Sequence, residues 1–436
     1  MNFEVINFGC RLNAYESEVI RKQLEGAEAS EEKVIVFNSC AVTAEAERQL
    51  QQAIRKARRH DPTVKIIVTG CAAQIDPSKY GGMAEVDRVL GNVEKLQAES
   101  YRFDPLQANE PRVRVADIMA VRELAPHLIA GFGSRSRAFI EVQQGCDHRC
   151  SFCIIPFGRG NSRSVPVGAV IEQINQLVAT GCAEVVLTGV DLTSWGADLP
   201  GQPRLGELVK RILRLVPDLP RLRLSSLDPS EFDDDLWQVI AAEPRLMPHL
   251  HLSIQSGSDI ILKRMKRRHL AHQALEVVER ARQLRPDMVF GADFIAGFPT
   301  ESEDDFAASM DLARQSRLTF LHVFPYSIRS GTVAERMPQL SKSIISQRAK
   351  RFRSLGDELR QNYFNSRIGQ TETIVLEERI GDEFTGHTEY FAPIKISSAL
   401  NHNYGSKDIV QARVTAASAT MLHATLVLQS ENQSHG

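Results

Sequence analysis

The sequence of 436 residues lacks the features that mark membrane or secreted proteins. No apolar run approaches the roughly 20 residues that a helix needs to cross a bilayer. Its first residues, MNFEVINFGC, show no basic segment before an apolar core, so we expect no signal peptide. The net charge is only −2, so the chain as a whole is not a basic nucleic-acid binder. We therefore expect a cytoplasmic protein without a membrane partner.

Cysteine is scarce, with seven residues, and the odd number argues against a disulfide framework. In a reducing compartment such thiols serve metal or redox chemistry more often than crosslinking. Basic residues gather locally in RKARRH (55–60) and KRMKRRH (263–269), which either contact phosphate or form solvated helix faces. The length predicts about three domains.

The first hundred residues repeat a strand pattern, with helical patterns after the first two strands, which predicts a parallel sheet. The strands are FEVINF (3–8), KVIVFN (33–38), VKIIVT (64–69) and a weaker VDRVLG (86–91). A cysteine follows each of the first three strands: Cys10, Cys40 and Cys71. Ligands bind at the carboxyl edge of open α/β sheets, so we expect these three thiols to gather there and form a three-thiolate site.

From residue 138 onward six strand patterns alternate with helical ones, which is short of the eight strands of a complete barrel. We therefore expect an α/β protein with an incomplete (β/α)6 barrel at its centre. A long helix (342–366) leads to a tail with period-two alternation, predicted as a small all-β barrel of five strands. The predicted boundaries are 1–105, a linker at 106–135, 136–365 and 366–430, and ENQSHG is expected to be a frayed end.

The stretch QGCDHRCSFC (144–153) places Cys146, Cys150 and Cys153 in a C-x3-C-x2-C spacing. Structural zinc normally takes four protein ligands, and His148 is awkwardly placed to be the fourth. A 4Fe–4S cluster accepts three thiolates and leaves one iron open to another ligand. The pattern favours such a cluster, with a zinc loop or an electron-transfer cluster as the alternatives.

The spacing, with Phe152 before the last cysteine, resembles the radical S-adenosylmethionine (SAM) superfamily. Together with GCRLNAYESE, NSCAVTAEAERQ, TGCAAQ, LTGVDLTSWG and DFIAGFPTE, it resembles the radical-SAM methylthiotransferases over essentially the full chain. The resemblance implies SAM and two 4Fe–4S clusters as cofactors. It assigns an auxiliary cluster to Cys10, Cys40 and Cys71 and the SAM cluster to Cys146, Cys150 and Cys153. It also implies that the tail is an RNA-contacting TRAM domain.

Within that family the N-x-Y-E pattern and FGRGNSRS are most similar to enzymes that methylthiolate N6-threonylcarbamoyladenosine at position 37 of tRNA. NSC and SRSVP depart conservatively from the commoner NTC and SRP. The alternatives are the same chemistry on isopentenyl-adenosine or on a ribosomal-protein aspartate, and a non-catalytic RNA-binding protein with a structural metal. Implied partners are the tRNA anticodon loop and a low-potential electron donor, flavodoxin or ferredoxin.

No side chain is predicted to act as acid or base, because hydrogen leaves the substrate as an atom. Polar residues at the carboxyl ends of barrel strands are the candidates for holding SAM, with helix capping as the alternative role. Together with Phe152 of the cysteine motif, the residues predicted to bind SAM are Phe152, Gly189, Asp191, Ser225, Gln255 and Asp293. Cys182 is predicted to be structural. His387 and Tyr390 are candidates for stacking on RNA bases, with core or surface packing as the alternative.

Overall fold

The computed structural model describes residues 3–26, 33–103, 111–122, 136–397 and 404–427. The predicted frayed end and most of the predicted linker lie outside these ranges. In the described part the chain forms an N-terminal parallel sheet, a central incomplete barrel and a small closed β-barrel, in that order. The predicted fold class is confirmed.

The N-terminal sheet is parallel throughout, and its strands lie side by side in chain order. The strands are β1 (Phe3–Asn7), β2 (Val34–Ser39), β3 (Lys65–Gly70), β4 (Arg88–Leu90) and β5 (Val113–Arg114). The helices are α1 (Arg11–Gly26), α2 (Ala44–His60), α3 (Cys71–Ile75) and α4 (Pro77–Gly81). Thr43 caps α2 by accepting a hydrogen bond from the amide of Ala46, 3.2 Å away, which fixes where the chain turns into the helix after β2.

Strand β5 falls inside the range that the sequence predicts as linker. It pairs with β4 through Val89 opposite Val113 and Leu90 opposite Arg114. A two-residue strand is too short to show alternation, so its pairing depends on the sheet edge that β4 offers.

The central barrel consists of two sheets that meet between β9 and β10. Its strands are β6 (Arg137–Gln144), β7 (Arg163–Ser164), β8 (Glu184–Gly189), β9 (Arg221–Leu224), β10 (Ser226–Leu227), β11 (His249–Gln255), β12 (Val289–Ala296) and β13 (Phe320–Pro325). Its helices are α5 (Ile155–Arg159), α6 (Val167–Ala179), α7 (Leu205–Leu215), α8 (Asp234–Ala242), α9 (Asp259–Arg264), α10 (Ala271–Leu284), α11 (Glu303–Gln315) and α12 (Lys342–Arg367). All six predicted strands are present, and the third is divided at Ser225 into β9 and β10.

The tail is a closed five-stranded barrel, as predicted. Its strands are β14 (Thr371–Ile380), β15 (Glu383–Thr388), β16 (Pro393–Ser397), β17 (Ile409–Ala417) and β18 (Leu422–Leu426). Alternate residues of these strands fill its interior, for example Phe384 and Ile394. Closure leaves no free strand edge, which is how small β-barrels avoid edge pairing with other chains.

The tail barrel covers the amino ends of the central barrel strands. Arg221 donates a hydrogen bond to the carbonyl of Thr373 at 2.8 Å, and Arg137 pairs with Glu377 at 3.0 Å. Phe391 has a left-handed φ of 68° and stacks on His249, with ring centroids 4.8 Å apart. The amino end of the central barrel is therefore closed by the tail.

His387 and Tyr390 both take part in this interdomain contact, and their stacking on RNA bases stays a prediction. His387 Nδ1 lies 2.8 Å from Glu377 and its ring stacks on Phe391 at 5.2 Å. The Tyr390 hydroxyl donates to Asp287 at 3.3 Å. The sequence identifies polar aromatic residues on the tail but not the face that docks.

The N-terminal sheet packs on the central barrel through α1, whose Tyr15 and Val19 join the barrel core. This orientation puts the carboxyl edge of the sheet opposite the carboxyl ends of the barrel strands. Among the described helices, none is long and apolar enough to cross a bilayer.

Candidate functional site

The three cysteines that follow β1, β2 and β3 lie around one cavity, as predicted. Cys10, Cys40 and Cys71 all line a space of about 480 Å³ that opens between the N-terminal sheet and the barrel. The Cys10 thiol donates to Asn13 Oδ1 at 3.3 Å, and the Cys40 sulfur accepts from the amide of Val42 at 3.4 Å. Neighbouring parallel strands thus deliver three thiols from distant parts of the sequence to one place.

At each site one cysteine follows a glycine that no other residue can replace: Gly70 before Cys71 and Gly145 before Cys146. Gly70 has a φ of +92°, and a Cβ there would lie 2.4 Å from the carbonyl oxygen of Ser39. Gly145 has a φ of +75°, and its Cβ would lie 1.9 Å from the carbonyl oxygen of Asn161. Left-handed backbone is easily accessible only to glycine, so these turns set the direction in which Cys71 and Cys146 leave their strands.

Arg159, which follows the barrel cysteine loop, reaches back to the N-terminal site. Its Nε lies 3.2 Å from Cys71 Sγ, and both terminal nitrogens bind the carboxylate of Glu16. Glu16 also pairs with Lys95 at 2.6 Å, and all three charged side chains are buried. Burial opposes ionisation of Glu16, but Arg159 and Lys95 outweigh it and lower its pKa. This buried network joins the two cysteine sites.

The second set of cysteines lies on the loop after β6. The loop is held from both sides: the amide of Cys146 donates to Gly160 O at 3.1 Å and that of Ser151 to Met265 O at 3.0 Å. Arg267 Nη1 lies 3.8 Å from Cys150 Sγ. Much of the basic run 263–269 is thus used inside the protein, since Arg267 also pairs with Asp228 at 2.8 Å.

Burial raises the pKa of Cys40 at the N-terminal site and of Cys153 at the barrel site. The pKa of Cys40 rises to about 12 and that of Cys153 to about 12, chiefly by desolvation. Such thiols hold their protons at neutral pH unless a bound cation displaces them. Each set offers three thiols, which matches a 4Fe–4S cluster with one open iron better than the closed four-ligand sphere of structural zinc.

Asp191 lies beside the first barrel cysteine. Its carboxylate is 3.7 Å from Cys146 Sγ and 2.8 Å from His148 Nε2, and its amide donates to Gln143 at 2.9 Å. The side chains of Cys146, His148 and Asp191 lie close enough to share a cation. Because Cys150 and Cys153 are not part of that group, His148 does not complete a four-ligand site with the cysteines.

The other predicted SAM residues line two neighbouring cavities. Phe152, Gln255 and Asp293 line a space of about 220 Å³ beside Cys153. Gly189, Ser225 and Asp293 line the 480 Å³ space beside the N-terminal cysteines. Their role in holding SAM stays a prediction.

Two of these residues carry independent marks of a site. The hydroxyl oxygen of Ser225 is buried with no partner in the described part of the chain. Gln255 has a left-handed φ of 70° at a register shift of β11. Buried polar atoms are almost always satisfied and non-glycine residues rarely take this φ, so both are typical of functional positions. An orphaned donor facing a cavity fits a polar cofactor there.

Asp293 lies between two imidazoles that sequence reasoning missed. His251 Nε2 is 2.9 Å and His322 Nδ1 is 3.3 Å from the same carboxylate oxygen. Burial opposes ionisation of Asp293, but the two histidines lower its pKa. His251 on β11 and His322 on β13 flank Asp293 on β12 and line the same cavity, so strand alternation could have placed them on its side of the sheet.

Cys182, the seventh cysteine, stands apart from both sites. It is buried in the barrel core, and its thiol donates to the carbonyl of Glu184 at 3.3 Å.

The barrel and its three-cysteine loop define a radical-SAM protein, and the profile of the Radical SAM superfamily matches residues 140–313. The N-terminal sheet matches the Uncharacterized protein family UPF0004 over residues 2–91. The fold of radical SAM methyltransferase TsrM from Kitasatospora setae is similar, with a TM-score of 0.54 at 16% identity, covering 77% of each chain.

Curated relatives cover almost the whole chain. Threonylcarbamoyladenosine tRNA methylthiotransferase MtaB of Rickettsia prowazekii (strain Madrid E) is 50% identical over 91% of this chain and 92% of its own length. A tRNA-2-methylthio-N(6)-dimethylallyladenosine synthase of Cereibacter sphaeroides (strain ATCC 17029 / ATH 2.4.9) is 32% identical over 95% and 96%. The chain belongs to the radical-SAM methylthiotransferase family, an enzyme class that uses SAM and 4Fe–4S clusters.

Proposed function

We propose that this enzyme adds a methylthio group to C2 of N6-threonylcarbamoyladenosine at position 37 of tRNA. The observation that supports this most is the pairing of two three-thiol sites across adjoining cavities. The 480 Å³ cavity of the N-terminal site and the 220 Å³ cavity beside Cys153 share the residues Val42, Ile155, Asp293 and Phe324. One substrate atom can therefore be close to both sites.

The choice of substrate is supported by sequence similarity. The Rickettsia prowazekii relative named for threonylcarbamoyladenosine is 50% identical, whereas the Cereibacter sphaeroides relative named for dimethylallyladenosine is 32% identical.

In this proposal Cys10, Cys40 and Cys71 hold an auxiliary 4Fe–4S cluster, and Cys146, Cys150 and Cys153 hold the cluster that binds SAM. The clusters supply the electron that cleaves SAM and the place from which sulfur is transferred. The chain itself positions the reactants and keeps water away. Phe152 packs edge-on against Phe298, with centroids 6.4 Å apart, and gives the smaller cavity an aromatic wall.

No residue has to act as a strong base, because the hydrogen at C2 leaves as an atom. The chain positions Gln255, Ser225 and Asp293 to bind SAM. These residues lie on or beside the barrel strands, which are rigid enough to hold them in place. Asp293 keeps its charge beside two imidazoles and can accept hydrogen bonds from a hydroxyl or amine at neutral pH.

The proposed partners are the anticodon loop of tRNA and a low-potential electron donor such as flavodoxin or ferredoxin, and the proposed location is the cytoplasm. A single-stranded loop is a suitable substrate for this enzyme, because its bases can leave the stack and enter a pocket. The tail barrel is proposed to contact the tRNA, with His387 and Tyr390 as candidate stacking residues.

The test is nucleoside mass spectrometry of tRNA from cells with and without the gene. We expect loss of the 2-methylthio derivative of N6-threonylcarbamoyladenosine and accumulation of its unmethylthiolated form, while other methylthiolated nucleosides persist. Loss of methylthio-isopentenyl-adenosine instead would move the enzyme to the alternative tRNA substrate. Unchanged tRNA with an unmodified ribosomal protein would assign it to the protein-modifying group.

A further inference from the structure

Arg11 follows the first cysteine of the N-terminal site and lines the 480 Å³ cavity. Among the described residues, none accepts a hydrogen bond from its guanidinium, and no carboxylate lies within 4.0 Å of it. The Arg11 guanidinium lies over the face of Phe391, with Cζ 5.4 Å from the ring centroid. A guanidinium has five N–H donors, so Arg11 presents a charged donor group that the described protein leaves unpaired.

The neighbouring buried arginines differ from Arg11 in this respect. Arg137 and Arg223 share the carboxylate of Glu184, each at 2.9 Å, and Arg159 binds Glu16. Buried charges are normally paired, because an isolated ion away from water is costly. Arg11 is half-buried, and in the described part of the chain it differs from these three neighbours in having no such carboxylate partner.

The nearby acid of the cavity does not neutralise Arg11. Asp293 is already approached by both His251 and His322 through the same oxygen, and it forms no ion pair with Arg11 within 4.0 Å. The inner part of the cavity therefore contains two imidazoles around one carboxylate, and a guanidinium that is not paired with that carboxylate. An anion that entered from the thiol side would meet Arg11 as a free partner.

We propose that Arg11 binds the carboxylate of the N6 substituent of the target nucleoside and so determines substrate specificity. This inference rests on the proposed function. A threonylcarbamoyl group ends in a carboxylate, whereas a dimethylallyl group has no charge. The planar fork of arginine matches a carboxylate with two parallel hydrogen bonds. The cavity volume lies within the range of about 300–1,000 Å³ that small-molecule sites occupy.

The test measures binding of the cluster-loaded enzyme to three anticodon stem-loop RNAs without SAM. Position 37 carries N6-threonylcarbamoyladenosine, its carboxylate methyl ester, or N6-dimethylallyladenosine. The wild type should bind the acid roughly ten- to a hundredfold more tightly than the ester, which is the range for one charged hydrogen-bonded pair. Arg11→Gln should bind acid and ester alike, and Arg11→Lys should keep part of the preference.

Arg214→Gln is the matched control, because it removes the same charge from the exposed face of α7 and should keep the full preference. SAM also carries a carboxylate, so its affinity is measured separately and should be the same in Arg11→Gln and wild type. Equal binding of acid and ester by the wild type would overturn the role of Arg11, and this arm needs no variant. Weaker SAM binding or loss of iron and sulfide in Arg11→Gln, with the RNA preference intact, would also overturn it.

The proposed function fails in a different way. If the wild type prefers the dimethylallyl RNA over both threonylcarbamoyl RNAs, the substrate itself is wrong. If it prefers both threonylcarbamoyl RNAs equally, the substrate stands and only the inference about Arg11 fails.

Discussion

Each of the two cysteine sites has three thiols, but the two sites are built in opposite ways. The barrel cysteines lie within eight residues on one loop, whereas the N-terminal cysteines are separated by whole strand–helix units and meet only because three parallel strands are neighbours. A loop can form its site locally, but the N-terminal site requires a folded sheet. We therefore expect the N-terminal site to be the more sensitive of the two to changes elsewhere in the protein.

The sites also differ in the charges around them. The N-terminal site lies against the buried network of Arg159, Glu16 and Lys95, which comes from three separate segments. The barrel loop is held mainly by backbone hydrogen bonds and by Arg267 beside Cys150. The N-terminal site thus depends on domain docking, while the barrel site depends on its own loop.

The largest effect is expected from removing a cysteine of either site. Cys146→Ala and Cys10→Ala should each abolish methylthiolation, because neither three-thiol set has a spare ligand. The readout is the methylthio nucleoside in tRNA from cells that carry only the variant gene. Product from Cys146→Ala would contradict the mechanism.

Arg159→Gln should separate the two sites. It removes the donor to Cys71 and one partner of buried Glu16, which costs roughly 3 kcal/mol of stability by analogy with other broken buried pairs. We expect the purified variant to lose the iron of the N-terminal site and to keep that of the barrel. Arg48→Gln, which breaks an exposed pair with Glu45, is the control and should change neither. Equal iron loss from both sites would show that the N-terminal site does not depend on domain docking more than the barrel site does.

Glu184→Gln probes the interface between the central barrel and the tail. Burial opposes ionisation of Glu184, but Arg223 and Arg137 hold its pKa well below the usual range. A folded-state pKa below the unfolded value of about 4.3 gives stability that is complete above that value and lost as the pH falls below it.

The variant should therefore unfold at a lower temperature than wild type between pH 5 and pH 8, with a deficit of about 3 kcal/mol that narrows only below about pH 4. Thermal melts of both proteins from pH 8 down to pH 3 provide the measurement. Glu207→Gln, which breaks an exposed pair with Arg211 on α7, should cost under about 1 kcal/mol. A constant deficit down to pH 3 would show that the charge of Glu184 is not what stabilises the interface.

Cys182→Ser should have the smallest effect. The residue is buried in the barrel core but belongs to neither site, so both clusters and the activity should remain, with a loss of about 1 kcal/mol in stability. It is the matched control for the other six cysteines, read by iron content and by the tRNA nucleosides. Loss of either cluster in this variant would mean that the seventh thiol takes part in the chemistry.

Sequence patterns identified both sets of cysteines because the strands and the loop that carry them have local signals, whereas cluster binding stays a prediction. The spacing of Cys146, Cys150 and Cys153 is visible in one loop, and the strand before Cys10 has a clear apolar pattern. Arg159, by contrast, contacts Glu16 from 143 residues away, and nothing in FGRG indicates that partner. The N-x-Y-E pattern did mark Asn13 and Glu16, but only as signs of a subgroup. Contacts that depend on how domains dock, such as Phe391 on His249, have no local signal.

The most direct test of two three-thiol clusters is iron and sulfide analysis of anaerobically purified protein. We expect about eight irons and eight sulfides in the wild type, and about four of each in Cys10→Ala and in Cys146→Ala. Zinc without sulfide in the wild type, or the same iron content in wild type and both variants, would contradict the account.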